Sequence, residues 1–593
     1  MALLQAVFVG LIALILTPGW LFYLDVTPKL IVLLMGAAAL LPFASPVTRP
    51  PRIVSFLAIA WIVSLAISSS LSSQPALSWF GSSWRRCGAI TQIAILLFAW
   101  SVVSRGDRRT MLRAVAIATG LASLYGLAQF AGFDPILPAA SYHIGEGVWT
   151  IVRPPSTFGH AAYFATWLTM AAFLGVALAR IEKMGPWKAV GLACGAVAAV
   201  TVLFTGTRAG LLALAAGAAV LFVRRGMRVT RIALASSLAV LLALVALYLS
   251  PAGTQLRSRT RWFMEDPWGG ARLTLWRDAI AMGLSRPWTG FGPEVFQVEF
   301  PHYQSVELSR AYPDFAHESP HNILLDAMVS QGIPGMLALM SLLAVGLRTR
   351  DPAIAAALTA GIISQQFTVF TIPTALLTFV TLALALPWTD VPVSGRISDP
   401  GRARQQAARR ALALAPAFAM LVYLGVRVTC ADAYLASAQR NLRAGSFRHA
   451  DADYERYAAW RLPGTSADLW YSRALFEWGK RQTNPAVQIQ AIARSGAAAW
   501  QATTTSEEPF NAWYNVAQLS AARNDPEGAE QALRASIAAS PNWFKPHWSL
   551  ARLLQLRGRR SEAQAEAAKA LHLDAGKHAE VGATLASLRT DRP

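Results

Sequence analysis

Residues 53–71 read IVSFLAIAWIVSLAISSSL, a stretch of 19 residues without a charged side chain. A helix needs about 20 apolar residues to cross the hydrocarbon core of a bilayer. Comparable runs recur at 3–17, 30–44, 89–104, 111–131, 158–179, 189–205, 209–223, 231–250, 321–347, 353–371, 374–388 and 411–428. The sequence therefore predicts an all-α fold, a polytopic bundle of about 12–13 transmembrane helices.

Composition divides the chain into two regions. Of its 593 residues 54% are hydrophobic and 15% are charged, whereas soluble proteins carry about 25% charged residues. After residue 428 the long apolar runs stop and charged residues become more frequent. We therefore expect a membrane domain over 1–428 and a soluble domain over 429–593. The three cysteines are isolated, with no spacing typical of a zinc site or a disulfide framework.

The net charge of +20 is explained by the loops between the spans, so no nucleic-acid partner is expected. Alternate loops are rich in Lys and Arg, and such loops lie on the cytoplasmic side of a membrane. This asymmetry predicts a cytoplasmic N-terminus and places loop 251–320 and the domain 429–593 outside. The first apolar run lacks a preceding basic segment, so we interpret it as a retained span rather than a signal peptide.

A few basic residues lie on the outer side despite this rule. The short outer loops contain Lys29, Arg85, Arg86, Arg153 and Arg208. Arg208 lies between two apolar runs, where a charge is costly and usually faces a partner or a watery cavity. Arg272, in loop 251–320, is a further candidate. Guanidinium groups suit phosphate oxygens because they offer planar donors and keep their charge; contact with lipid headgroups is the alternative for each.

Loop 251–320 is too long for a simple connector and ends in His317-Glu-Ser-Pro-His321. These letters match a zinc-protease motif, which needs both histidines on one helix face. Pro320 belongs in the first turn of a helix and Ser319 at its N-cap, so His317 would lie outside it. We therefore expect neither a metal nor another cofactor.

The same pattern places His321 in the first turn of a span that enters from outside. The positive end of the helix dipole disfavours a protonated imidazole at that position. A neutral histidine can take a proton and act as a general base. A histidine that only makes an interfacial hydrogen bond is the alternative.

Five segments in this order resemble the bacterial O-antigen ligase and O-antigen polymerase superfamily. They are Phe80-Gly-Ser-Ser-Trp-Arg-Arg-Cys-Gly88, Arg153-Pro-Pro-Ser-Thr-Phe-Gly-His160, Thr205-Gly-Thr-Arg-Ala-Gly210, Arg272-Leu-Thr-Leu-Trp276 with Pro287-Trp-Thr-Gly-Phe-Gly-Pro293, and His321-Asn322 followed by Gly332-Ile-Pro-Gly335. The resemblance covers about 70–390. The segment around His160 lacks the family's Asn-Pro-Asn, so His160 receives no role.

The resemblance implies a fold like that of the C-type glycosyltransferases and a metal-independent, inverting transfer. An acceptor hydroxyl would displace a polyprenyl diphosphate from a glycan on the external or periplasmic face of a bacterial inner membrane. By position, His321 would be the catalytic base, and Arg208 and Arg272 would bind the diphosphate. Arg85 and Arg153 would be weaker diphosphate ligands. The acceptor would be a glycan, a lipid or a protein.

Within this superfamily two reactions differ in their acceptor. The spacing from His321 to Gly335 resembles the ligase branch, which transfers a finished glycan to its final acceptor. A polymerase, which joins lipid-linked repeat units, is the alternative. A transporter of lipid-linked glycans would place polar residues deep in several spans, and a membrane-tethered scaffold would leave loop 251–320 unexplained.

The domain 429–593 contains an internal repeat. Ala517 and Ala551, and likewise Ala529 and Ala563, are 34 residues apart, which is the tetratricopeptide spacing. Such repeats form helical hairpins that stack into a solenoid with a concave surface. That surface would either bind a protein partner or serve only as a structural cap.

Overall fold

The computed structural model describes residues 1–41, 48–144, 151–182, 184–225, 242, 245–246, 248–250, 253–265, 270–386, 389–390 and 400–590. Within these residues the chain is helical almost throughout, with two short two-stranded ladders, β1 (Thr48–Arg49) with β4 (Thr389–Asp390) and β2 (His143–Ile144) with β3 (Ile151–Val152). The predicted all-α fold is confirmed.

The first half of the chain forms helices that are mostly apolar. They are α1 (Ala2–Leu14), α2 (Thr27–Leu40), α3 (Arg52–Ser70), α4 (Pro75–Phe80), α5 (Ala89–Arg105), α6 (Arg108–Phe130), α7 (Ala161–Ile181), α8 (Pro186–Thr205) and α9 (Arg208–Arg225). Next come α10 (Thr254–Glu265), α11 (Arg272–Ser285), α12 (Phe296–Glu299), α13 (Val306–Ala311), α14 (Ile323–Leu347), α15 (Pro352–Ser364) and α16 (Ile372–Ala385).

Six described helices are long and apolar enough to cross a membrane: α3, α6, α7, α8, α14 and the Leu412–Arg443 part of a later helix. Five shorter apolar helices accompany them, in the ranges of α1, α2, α5, α15 and α16. Every predicted span except 231–250 overlaps a described helix, and most of 231–250 lies outside the described residues. The chain is thus a multi-pass membrane protein.

Helices α7 and α16 form the centre of the bundle. All 14 residues of α16 are buried, and α7 is buried on nearly every face. A helix that is apolar all round is stable only where neighbours surround it, and α7 packs against α6, α8 and α15. Inside this packing, the Trp167 indole N–H donates to the Thr119 hydroxyl at 3.0 Å.

The helix after loop 251–320 begins later than predicted. Asn322 is the N-cap of α14, since its side chain accepts hydrogen bonds from the backbone N–H groups of Leu324 and Leu325. Ser319 is therefore not the cap, and His321 precedes the helix instead of lying in its first turn. The reason is the backbone of His321, whose φ of 50° is left-handed and incompatible with a helix.

The C-terminal part consists of helix pairs. α17 (Pro400–Arg443) runs without a break past residue 428 and packs against α18 (Phe447–Trp460). The following pairs are α19 (Asp468–Lys480) with α20 (Pro485–Thr505), α21 (Pro509–Ala522) with α22 (Pro526–Ala539), and α23 (Phe544–Leu556) with α24 (Arg560–Asp574), before α25 (Ala579–Thr590). Successive hairpins stack on one another, and α24 also contacts α13 in loop 251–320.

Candidate functional site

A cavity of about 630 Å³ lies where the ends of α2, α7, α9 and α11 meet the segment that precedes α14. We call it the reaction cavity. Its walls come from segments that are far apart in the sequence, and they include all five predicted site residues: Arg85, Arg153, Arg208, Arg272 and His321. The fold therefore brings the predicted residues together.

Three of these arginines form a cationic cluster. Arg208 is the first residue of α9, directly after the left-handed turn at Gly206 that ends α8. Arg272 is the first residue of α11, and its guanidinium lies 5.8 Å from the centre of the Phe367 ring. Arg153 follows β3, and its pKa is lowered by burial and then by repulsion from Arg272 and Arg208. Arg153, Arg208 and Arg272 thus line one cavity, and the charges of Arg272 and Arg208 act on Arg153.

Backbone geometry adds to the positive potential of the reaction cavity. Two helices, α9 and α11, begin at its wall, and the N-terminal end of a helix carries a partial positive charge with unpaired N–H groups. Helix starts of this kind are common anion-binding sites, especially for phosphate. With three guanidinium groups beside them, they make the wall suited to a diphosphate.

His321 lies in the same cavity. The Trp276 indole N–H donates to the carbonyl of Pro320 at 3.0 Å and holds the segment in place, and the hydroxyl of Ser319 lies 3.4 Å from Nδ1 of His321. Burial, followed by the charge of Arg272, lowers the pKa of His321 to about 4. The imidazole is therefore neutral near pH 7. The cause differs from the expected helix dipole, because the ring lies ahead of the helix cap.

Arg85 differs from the other arginines. Its Nε lies 2.7 Å from a carboxylate oxygen of Glu294, and its terminal nitrogens donate to both oxygens of Asp326 at 3.3 Å. Its side chain is almost fully buried. Since two carboxylates already balance its charge, Arg85 fixes the wall of the reaction cavity more than it adds positive charge to it.

Lys29 also lines the reaction cavity, and its ammonium group donates hydrogen bonds to backbone carbonyl groups. Its Nζ donates to the carbonyl of Asp25 at 2.6 Å, to that of Thr157 at 2.6 Å and to that of Ile15 at 3.3 Å. The side chain therefore ties α2 to the segment that carries Arg153, which explains why a lysine in the first turn of α2 is buried.

The structure adds His160 to the site, a residue to which the sequence assigned no role. His160 is the N-cap of α7, where its Nδ1 accepts from the N–H of Ala162 at 3.2 Å. Protein surrounds His160, but its side chain is exposed to solvent where it lines the reaction cavity. Burial, then Arg153 and then His321, lower its pKa to about 4. The signal available in the sequence was the position of His160 at the end of the segment that begins with Arg153, directly before an apolar run.

His317 lies outside the helix, as predicted, and it lines a different cavity. Among the described residues, no three or more His, Cys, Asp or Glu side chains form a group that could hold a metal ion.

Fold and site together define a multi-pass helical membrane protein with a cationic cavity beside a neutral histidine. Residues 193–340 match the Wzy_C family model, whose description is O-antigen ligase. Arg208, Arg272 and His321 lie inside this range. The match supports the O-antigen ligase family for that part of the chain and an activity of the O-antigen ligase or polymerase type. The search of curated proteins found no match.

Proposed function

We propose that the protein transfers a glycan from a polyprenyl-diphosphate carrier to an acceptor hydroxyl on the outer face of the inner membrane. The observation that carries the proposal is the common cavity of His321, Arg153, Arg208 and Arg272. These residues come from four separate segments, and a neutral base beside clustered cations is the arrangement that this displacement needs.

The chemistry follows from the charges that the reaction creates. The acceptor oxygen attacks the anomeric carbon while the bond from that carbon to the phosphate oxygen breaks. His321 takes the acceptor proton, because its neutral imidazole is free to accept one. The negative charge that grows on the departing diphosphate is stabilised by fixed guanidinium groups that face it. Attack from the opposite side inverts the anomeric configuration.

Further parts of the proposal concern the domains. We assign glycan transfer to 1–428, with loop 251–320 outside the membrane, and interpret the helix pairs of 429–593 as degenerate tetratricopeptide repeats. Helix starts at Pro509 and Phe544, 35 residues apart, and at Pro526 and Arg560, 34 residues apart, support this interpretation.

A deletion strain tests the function in cells. We expect it to accumulate carrier-linked glycan that keeps its full length distribution, because a ligase acts after polymerisation is complete. Extraction of the carrier lipid and electrophoresis of the released glycan measure this distribution. Accumulation of single repeat units would contradict ligation and indicate polymerisation, and an unchanged carrier pool would contradict glycan transfer altogether.

A further inference from the structure

A second cavity, with a volume of about 820 Å³, lies between the C-terminal helix pairs and the loop that precedes α14. We call it the groove. One wall comes from residues 297–317, and the other from α19, α21 and the start of α23. Hydrogen bonds hold the walls together, among them Gln297 to Glu508 at 2.7 Å, Asn542 to the carbonyl of Gln304 at 2.7 Å, and Lys545 to Asp314 at 2.5 Å.

The groove and the reaction cavity share part of their walls. Tyr312 and Phe315 line both, and they are 36% and 51% exposed. The same segment continues through His317 to His321, the proposed base. The groove and the reaction cavity therefore adjoin each other at these two aromatic rings.

His317 provides an independent sign of a ligand in the groove. The residue is only 6% exposed and lines the groove, and neither ring nitrogen has a hydrogen-bond partner. The rings of Phe300, Tyr312 and Phe315 surround it edge-on, with centres 5.9, 5.8 and 5.1 Å away. Buried polar groups without partners are uncommon in native proteins and point to a missing partner.

The properties of His317 indicate which ligand groups would complete it. Burial lowers its pKa to about 4, so the ring is neutral near pH 7. A neutral imidazole has one N–H donor and one acceptor nitrogen. A hydroxyl group can satisfy either nitrogen, since it both donates and accepts, whereas a carboxylate or phosphate can only accept.

The other groove residues fit the same chemistry. Aromatic faces come from Phe476, Tyr514 and Trp543, and side-chain amides come from Gln304 and Gln518. Aromatic rings cover the apolar faces of a sugar, and amides and imidazoles pair with its hydroxyl groups. The groove also contains cations, but its two lysines pair with carboxylates, Lys545 with Asp314 at 2.5 Å and Lys480 with Glu477 at 2.8 Å, and Arg473 donates to the side-chain oxygen of Asn511 at 2.6 Å.

We propose that the groove binds an oligosaccharide chain of the acceptor and directs its hydroxyl past Tyr312 and Phe315 to His321. This inference rests on the proposed function, because it assigns the acceptor side of that reaction. We favour the acceptor over the donor glycan as the ligand of the groove. The segment with Tyr312 and Phe315 continues to His321, the residue that would activate the acceptor. His317 then acts as a positioning residue for the bound sugar.

The probe is the pool of oligosaccharides released by mild acid from the surface glycolipid of the source cells and labelled with a fluorophore. Its binding to the full-length protein in detergent is measured by fluorescence anisotropy without donor. We expect Phe315→Ala to weaken binding about tenfold or more through lost apolar contact. His317→Ala should weaken it about two- to tenfold through a lost hydrogen bond. Trp500→Ala removes an exposed tryptophan of α20 outside the groove and should bind the pool as the parent does.

Binding of the carrier-linked donor is the second arm and should be unchanged in His317→Ala and Trp500→Ala, since neither residue lines the reaction cavity. Parent-like binding of the sugar pool by both groove variants would overturn the proposal. A selective loss of donor binding would overturn it as well, by placing the donor glycan in the groove. No binding of the pool to a folded parent, or binding of surface peptides in its place, would also overturn it. Failure of the proposed function appears separately, as absent transfer by a parent protein that still binds the sugars.

Discussion

At the scale of single residues, His321 combines three properties that a general base requires. Its left-handed backbone ends the preceding loop and leaves Asn322 to cap α14. Its ring faces the reaction cavity, and burial beside Arg272 lowers its pKa to about 4. The sequence could indicate this residue from its motif. It could not give the backbone conformation, which depends on how the segment packs against Trp276 and the walls of the cavity.

Replacement of His321 tests the base. His321→Ala should reduce transfer at least about a hundredfold, since a positioned base contributes roughly 10²–10⁴-fold. Carrier-linked glycan consumed by purified protein measures the effect, and thermal melting checks the fold. His302→Ala is the matched control, because His302 is exposed and lies outside both cavities. Equal losses in the two variants would remove the case for a base at His321.

The lowered pKa of His321 also predicts a pH profile. A histidine that stays neutral down to about pH 4 keeps its base form throughout the neutral range. The ratio kcat/KM reports the free protein, so it should be level from pH 8 to about 5.5 and fall as the pH drops further towards 4. An inflection near pH 6.5, the ordinary value for histidine, would mean that the ring is not held in this environment.

At the scale of elements, a break inside α14 positions the loop that follows α11. Gly332 has φ 71°, and the loop after α11 lies against the break: Ile333 N–H donates to the carbonyl of Pro287 at 2.7 Å, and Phe291 N–H donates to that of Val329 at 2.8 Å. The two glycine motifs noted in the sequence are therefore partners. Their sequence spacing could not reveal this, because the pairing forms only when α11 and α14 pack together.

Gly332→Ala should disrupt this pairing. The added Cβ would lie 2.5 Å from the carbonyl oxygen of Pro287 while the backbone keeps a left-handed φ, and such strain costs about 1–3 kcal/mol. The apparent melting temperature and the transfer rate in detergent should both fall. Gly132→Ala is the control, since Gly132 has φ 88° with open space around it. Equal melting temperatures of the two variants would mean that the close contact between Gly332 and Pro287 does not contribute to stability.

At the scale of the whole molecule, composition predicts where most helices lie in the sequence but not how they pack inside the bundle. Apolar runs locate most of the helices because a bilayer imposes their length. They do not show which helix is central, nor that α17 continues to Arg443. The convergence of Arg153, Arg208, Arg272 and His321 is likewise a property of tertiary packing, although the charge asymmetry of the loops already placed these residues on one side.

The membrane orientation is a prediction that reporter fusions can test. A reporter that is active only in the cytoplasm should be silent when fused after Pro593, because the charge asymmetry places the C-terminal helix pairs outside. The same reporter fused near Arg402 should be active. Activity from the fusion after Pro593 would place the helix pairs, and with them the groove, on the cytoplasmic side.

The arginine cluster is the most direct test of the central claim, that the reaction cavity holds a diphosphate. The measurement is the rate at which purified protein consumes carrier-linked glycan. A charge-assisted contact contributes about 1.5–3 kcal/mol, so Arg208→Ala and Arg272→Ala should each slow transfer roughly ten- to hundredfold. Lysine at either position should restore the rate only in part, because it keeps the charge without the planar pair of donors.

Arg277→Ala is the control and should transfer at the parent rate. Arg277 lies on the same helix as Arg272, but its side chain is exposed and lies outside the reaction cavity. Parent rates for both Arg208→Ala and Arg272→Ala would contradict the diphosphate site.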